Sequence, residues 1–116
     1  MSNEPEPSAT VEEFQRLEIR VGRVLQVEEF PRARRPSYRL IIDFGPLGTR
    51  RSSAGLKPFY TPEELLGRQV VCAFNLPPRN IAGFMSEVLV LGATEEGGRI
   101  RLLRPDEESA PGARVT

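Results

Sequence analysis

Glu18–Phe30 reads EIRVGRVLQVEEF, and its reading decides the fold. From Ile19 the apolar residues take strand spacing, with Ile19 and Val21 sharing one parity, as do Leu25 and Val27. Arg23 and Val24 interrupt the alternation, so one long strand must bend on the way. Gly22, with no side chain to hold the ladder flat, is the expected bulge point. Phe30-Pro31 ends the strand, because proline has no N–H to donate.

The flanking segments repeat the strand signal in shorter pieces. Tyr38, Leu40, Ile42 and Phe44 alternate with Arg39, Ile41 and Asp43, which predicts a half-buried strand. Gly45-Pro46-Leu47-Gly48 turns the chain into a third strand, Thr49–Ala54, whose arginines and serines mark an exposed face. Thr61-Pro62-Glu63-Glu64 then opens a short helix. Thr61 caps it, Pro62 suits the first helical position, Glu64 completes the capping box and Gly67 stops it. Val70–Leu76 and Val88–Leu91 are expected as short continuous apolar strands. Arg99–Leu103 follows the Glu95-Glu96-Gly97-Gly98 turn as the last one.

Between the two apolar runs lies Asn75–Leu91, NLPPRNIAGFMSEVLVL. Pro77 and Pro78 cannot join a ladder, so this connection must lie outside the sheet, with Arg79 held at small entropic cost. At the other end of the chain, residues 1–9 read as a flexible acidic tail and 10–116 as one domain. Thr10-Val11-Glu12-Glu13 is a second capping box, opening a short helix with Val11, Phe14 and Leu17 on one face. A long bent strand, and a helix between strands three and four, favour a barrel over a sandwich. The expected class is all-β: a five-stranded oligonucleotide/oligosaccharide-binding (OB) Greek-key barrel with two short helices.

A chain of 116 residues carries one core. No apolar run approaches the roughly 20 residues a membrane span needs. The acidic, polar start is unlike a secretory signal, which points to the cytoplasm. Cys72, the only cysteine, sits in the apolar run Val70–Phe74 and reads as a buried, inert thiol. With no histidine, no glycine-rich phosphate loop and no ligand cluster, nothing supports catalysis, a metal or a cofactor. The paired acids Glu12-Glu13, Glu63-Glu64 and Glu95-Glu96 lie at helix starts or turns, where capping accounts for them.

Charge is more informative. The formal net charge is +0, yet residues 16–104 hold fifteen basic against nine acidic residues. Most of that excess lies in Arg32, Arg34, Arg35, Arg39, Arg50, Arg51 and Lys57, opposed within the segment only by Asp43. Such a field attracts phosphate. The segment reads either as a solvated, salt-bridged surface or as a phosphate-tracking groove. Arg79 likewise suits a phosphate or base contact, or a loop arginine bound to carbonyls. Asn75 and Ser86 beside it could read base edges or cap turns. Phe84 and Met85 are candidates for apolar peptide contact, with core burial open for Phe84.

Leu17–Val24, Phe30–Arg34, Arg51-Ser52-Ser53-Ala54 and above all Asn75–Leu91 resemble the CsaA family of bacterial, export-related tRNA-binding-domain proteins. That family is similar in turn to the C-terminal module of methionyl-tRNA synthetases and of endothelial monocyte-activating polypeptide II. The resemblance covers about residues 12 to 116. It implies an OB fold and non-catalytic tRNA binding, for which the candidate contacts read from the residues are Arg32, Arg34, Arg35, Arg50, Arg51, Lys57, Asn75, Arg79 and Ser86. It also implies chaperone-like association with unfolded preproteins and the export machinery, and a homodimer built by the N-terminal helix through Phe14 and Leu17 with the chain ends. Asn80 stands where a second arginine is common in that family, and Gly55-Leu56 where a Gln-Ile pair is common.

Overall fold

The computed structural model describes residues 4–116. Of the expected acidic tail, residues 1–3 lie outside the described residues, and 4–9 are exposed and belong to no helix or strand. Helix α1 (Val11–Arg16) opens on the predicted capping box: the Thr10 hydroxyl accepts from the Glu13 N–H, and the Glu13 carboxylate accepts from the Thr10 N–H. It buries none of its residues.

Strand β1 (Ile19–Glu29) serves two neighbours. Ile19–Arg23 pair with β4 (Gln69–Ala73), and Arg23–Glu29 pair with β2 (Tyr38–Asp43), both antiparallel. A strand handing its ladder from one partner to the next must coil, and this coiling closes the barrel. The bulge lies at Leu25, between Val24 and Gln26, rather than at the expected Gly22. Gly22 serves close packing instead: a Cβ there would sit 2.5 Å from Ile42 Cγ2 and 2.8 Å from Phe44 Cε1. Leu25, the residue left without a ladder position, points outward.

The β2 alternation is as read, with Tyr38, Leu40 and Ile42 buried and Arg39, Ile41 and Asp43 half-buried. A 3-10 turn at Gly45–Leu47 leads to β3 (Thr49–Ala54). Helix α2 (Pro62–Leu65), again with a complete capping box, drives Leu65 fully into the core. Leu40, Ile42, Phe44, Val70 and Cys72 fill the interior with it. Burial pushes the Cys72 thiol pKa up to about 12. Two tyrosines stitch the barrel floor: Tyr38 Oη donates to the Tyr60 carbonyl at 2.8 Å, and Tyr60 Oη accepts from the Leu102 N–H at 3.0 Å.

Beyond β4 the chain departs from the predicted pattern. The apolar run stops pairing at Ala73, and the proline-led connection folds into its own hairpin, β5 (Arg79–Ile81) and β6 (Phe84–Ser86). Ala82 and Gly83 both take positive φ, 48° and 88°, the geometry a two-residue hairpin turn demands. Val88–Leu91 is not one continuous strand. Only β7 (Leu89–Val90) pairs with β4, and β8 (Gly92–Thr94) then pairs with β9 (Ile100–Leu102). The main sheet runs β3-β2-β1-β4-β7. Four bonds between 86–88 and β3 nearly close it: Glu87 N–H to Arg51 O at 2.8 Å, Arg51 N–H to Glu87 Oε1 at 2.9 Å, Ser52 Oγ to Val88 O at 3.0 Å, and Ser53 N–H to Ser86 Oγ at 3.0 Å. The fold is the expected all-β OB-type barrel.

Candidate nucleic-acid interface

In an OB barrel the ligand face lies over strands two and three, between the loop after strand one and the loop after strand four. Here those loops are residues 30–37 and the connection that carries the β5–β6 hairpin. Between them runs a groove of about 790 Å³. Arg34 and Arg35 line it from the first loop, and Arg79 with Asn80 from the hairpin. The lining includes no Asp or Glu. Arg32 is exposed on the same first loop, outside the lining. Among the described residues, nothing accepts a hydrogen bond or forms an ion pair with the guanidinium of Arg32, Arg34, Arg35 or Arg79.

The rest of the basic segment is engaged. Lys57 Nζ lies 2.6 Å from Glu29 Oε2, and that hydrogen bond raises its pKa. Arg50 donates to the Leu47 and Thr49 carbonyls at 3.0 and 2.9 Å and lies over the Phe74 ring at 4.8 Å, away from the groove. Arg51 packs on the Phe84 ring at 5.3 Å, and its backbone N–H donates to Glu87 Oε1. Arg39, which pairs with Glu28 at 3.0 Å, lies against both Phe30 and Phe84. Acids distant in sequence therefore neutralise cations that look unopposed locally.

Two other candidates hold the structure. Ser86 is 2 % exposed, and its hydroxyl is taken by the Ser53 N–H, so it has no surface with which to read a base. Asn75 is exposed, but both ends of its amide are used: Oδ1 accepts from the Glu18 N–H at 2.7 Å and Nδ2 donates to the Arg16 carbonyl at 2.8 Å. It fastens the end of α1 to the start of the hairpin connection. Phe84 is half-buried, edge-on to the buried Phe30 with centroids 5.5 Å apart. That contact ties the hairpin to the first loop and leaves only Met85 of the apolar pair well exposed. Phe30, which the sequence marks only as the end of a strand before Pro31, is thus the buried anchor of the hairpin.

Phe14 stands apart, in a cleft of about 400 Å³ with Val11, Arg114 and Val115. Leu17 is half-buried beside it, outside that lining. Arg114 Nη2 donates to the Gln15 carbonyl at 2.7 Å and so joins the C-terminal segment to α1. No helix among the described residues is long and apolar enough to cross a membrane.

Residues 19–114 match the family described as "Putative tRNA binding domain". The chain is 44 % identical over 104 residues to a methionine–tRNA ligase of Porphyromonas gingivalis, covering 90 % of this chain and 15 % of the ligase. It thus spans about a seventh of the length of that relative. The crystal structure of chaperone CsaA from Bacillus anthracis superposes with a TM-score of 0.90 at 46 % identity, covering 95 % of this chain and all of the other. A MetRS-related protein from Pyrococcus horikoshii superposes with a TM-score of 0.86 at 32 % identity, covering 96 % of this chain and 100 % of that one. With the barrel, the hairpin and this span of matched sequence together, the chain belongs to the tRNA-binding-domain family, as a member of the CsaA type.

Proposed function

We propose that this domain is a non-catalytic binding module that takes tRNA in the groove between the first loop and the β5–β6 hairpin. One observation carries the reading: Arg34, Arg35 and Arg79, from segments far apart in sequence, line a single groove without a carboxylate. Arginine suits that task, because its planar fork meets phosphate oxygens in pairs and holds its charge at any physiological pH. Arg32 extends the same field at the rim.

The test is a salt titration of total tRNA binding to the wild type and to the R34A/R35A/R79A variant. The variant should bind on the order of tenfold more weakly at low salt, and its log–log salt slope should flatten by about two. An affinity unchanged at low salt would sink the reading.

Similarity to chaperone CsaA supports a chaperone-like role alongside, in which exposed Met85 touches apolar segments of unfolded preproteins bound for export. Binding of that kind should hardly respond to ionic strength, unlike tRNA binding. A tRNA partner supports a cytoplasmic location. The cleft at α1, with Phe14 45 % exposed on it, supports a homodimer joined through that helix and the chain ends. Light scattering should give twice the chain mass, and F14E should halve it.

A further inference from the structure

The groove has a floor as well as a rim, and the two differ in chemistry. Ala54, Phe59, Ile81, Val90 and Ile100 face the space between the arginines. Ala54 is 8 % exposed, and the other four are partly buried. Besides the arginines, two side chains in the lining keep unused hydrogen-bonding groups. Asn80 accepts from the Gly83 N–H through Oδ1 at 2.8 Å, which leaves its Nδ2 donors unpaired. The Ser53 hydroxyl has no partner within the described residues, although its backbone N–H is bound to Ser86.

We infer that this groove takes an unpaired stretch of RNA, with bases laid on the apolar floor and phosphates on the arginine rim; the inference rests on the tRNA-binding reading above. A paired helix keeps its base faces inside its own stack and shows a protein only phosphates, sugars and groove edges. Such a partner engages the rim and leaves the floor wet. An uncharged apolar peptide covers the floor but leaves three guanidiniums uncompensated, and a run of Asp and Glu engages the rim but offers no flat apolar surface. An unpaired nucleotide answers both parts at once. It brings one negative charge, one apolar ring face and a polar edge within reach of Asn80 Nδ2 and Ser53 Oγ. A volume of about 790 Å³ falls within the roughly 300–1,000 Å³ of sites that enclose small molecules, so it holds a few nucleotides rather than a duplex.

The experiment compares a labelled short oligouridylate with an RNA hairpin of equal nucleotide count, by anisotropy, at low and physiological salt. The single strand should bind about tenfold tighter than the duplex, with the gap widening as salt rises. S53A and I81A should each weaken the single strand about threefold to tenfold and leave the duplex unchanged. S53A keeps the Ser53 backbone bonds to Ser52 and Ser86, so it tests the inference even if I81A loosens the hairpin; thermal melting identifies that case. Equal or tighter duplex binding overturns the inference. So does tighter capture of an unfolded, carboxymethylated polypeptide that I81A abolishes, which would assign the floor to protein. If R34A/R35A/R79A loses tRNA while the single strand has no advantage, only this inference fails. If that variant keeps its tRNA affinity, the reading beneath it fails too.

Discussion

Ser53 and Ser86 meet across the seam of the barrel, the Ser53 N–H donating to Ser86 Oγ at 3.0 Å. No ladder bond joins β3 to the 86–88 segment at this point, so a side chain completes the closure and fixes where the hairpin stands.

Removing that hydroxyl should therefore loosen the seam. S86A leaves the Ser53 N–H without its partner in a part-buried position, a loss of about 1–3 kcal/mol. Urea unfolding should show a lower midpoint with an unchanged slope. A midpoint within error of wild type would mean that water replaces the hydroxyl freely.

Cations in the basic segment should divide by what already holds them. Arg50 is bound to two carbonyls and a ring, and Lys57 to Glu29. R50A and K57A should change tRNA affinity less than about twofold, whereas R34A alone should reduce the salt slope by about 0.7–0.9. Equal losses across all three would indicate a diffuse field instead of a groove.

The hairpin tip invites a stabilising change. Ala82 carries a side chain at φ 48°, a conformation that favours Asn and Gly, and Gly83 follows it. A82N should raise stability by about 0.5–1 kcal/mol in thermal or urea unfolding. A drop would mean that the turn changes type when the residue changes.

Cys72 predicts a pH dependence. Its folded pKa of about 12 lies above the ordinary value of 9.0, so the folded state holds the proton more tightly than the unfolded chain. Its contribution is fully present below pH 9 and is lost as the pH rises towards 12, at up to about 1.4 kcal/mol per pH unit. Tyr38, whose pKa burial also raises, adds to the loss only above pH 10. Unfolding measured at pH 8, 9 and 10 should show the slope in wild type and a flatter one in C72A. At pH 8, a disulfide reagent should label the thiol only after denaturant is added.

Local chemistry was legible in the sequence. Both capping boxes and the β2 alternation depend on residues within a turn or a strand, and they stand as read. Long-range pairing was not. Glu87 reaches Arg51 from 36 positions away, and nothing around Arg51 announces it. Asn75 and Ser86 look like loop polars free for a ligand, yet barrel closure and the α1 junction consume them. Gly22 shows how one signal can hide another: a glycine in a bent strand suggests the bend, while the tight approach of Ile42 and Phe44 is what requires it. For the site itself, the basic loop was visible, but not which of its cations stay unpaired.

The arginine rim also acts before contact. Cations lining a groove free of carboxylates project a field into solvent, which should speed the encounter with an anionic polymer and make that speed fall as salt screens it. Once the partner has docked, apolar contacts feel little screening. Salt should therefore change the association rate first, and leave residence time to the floor.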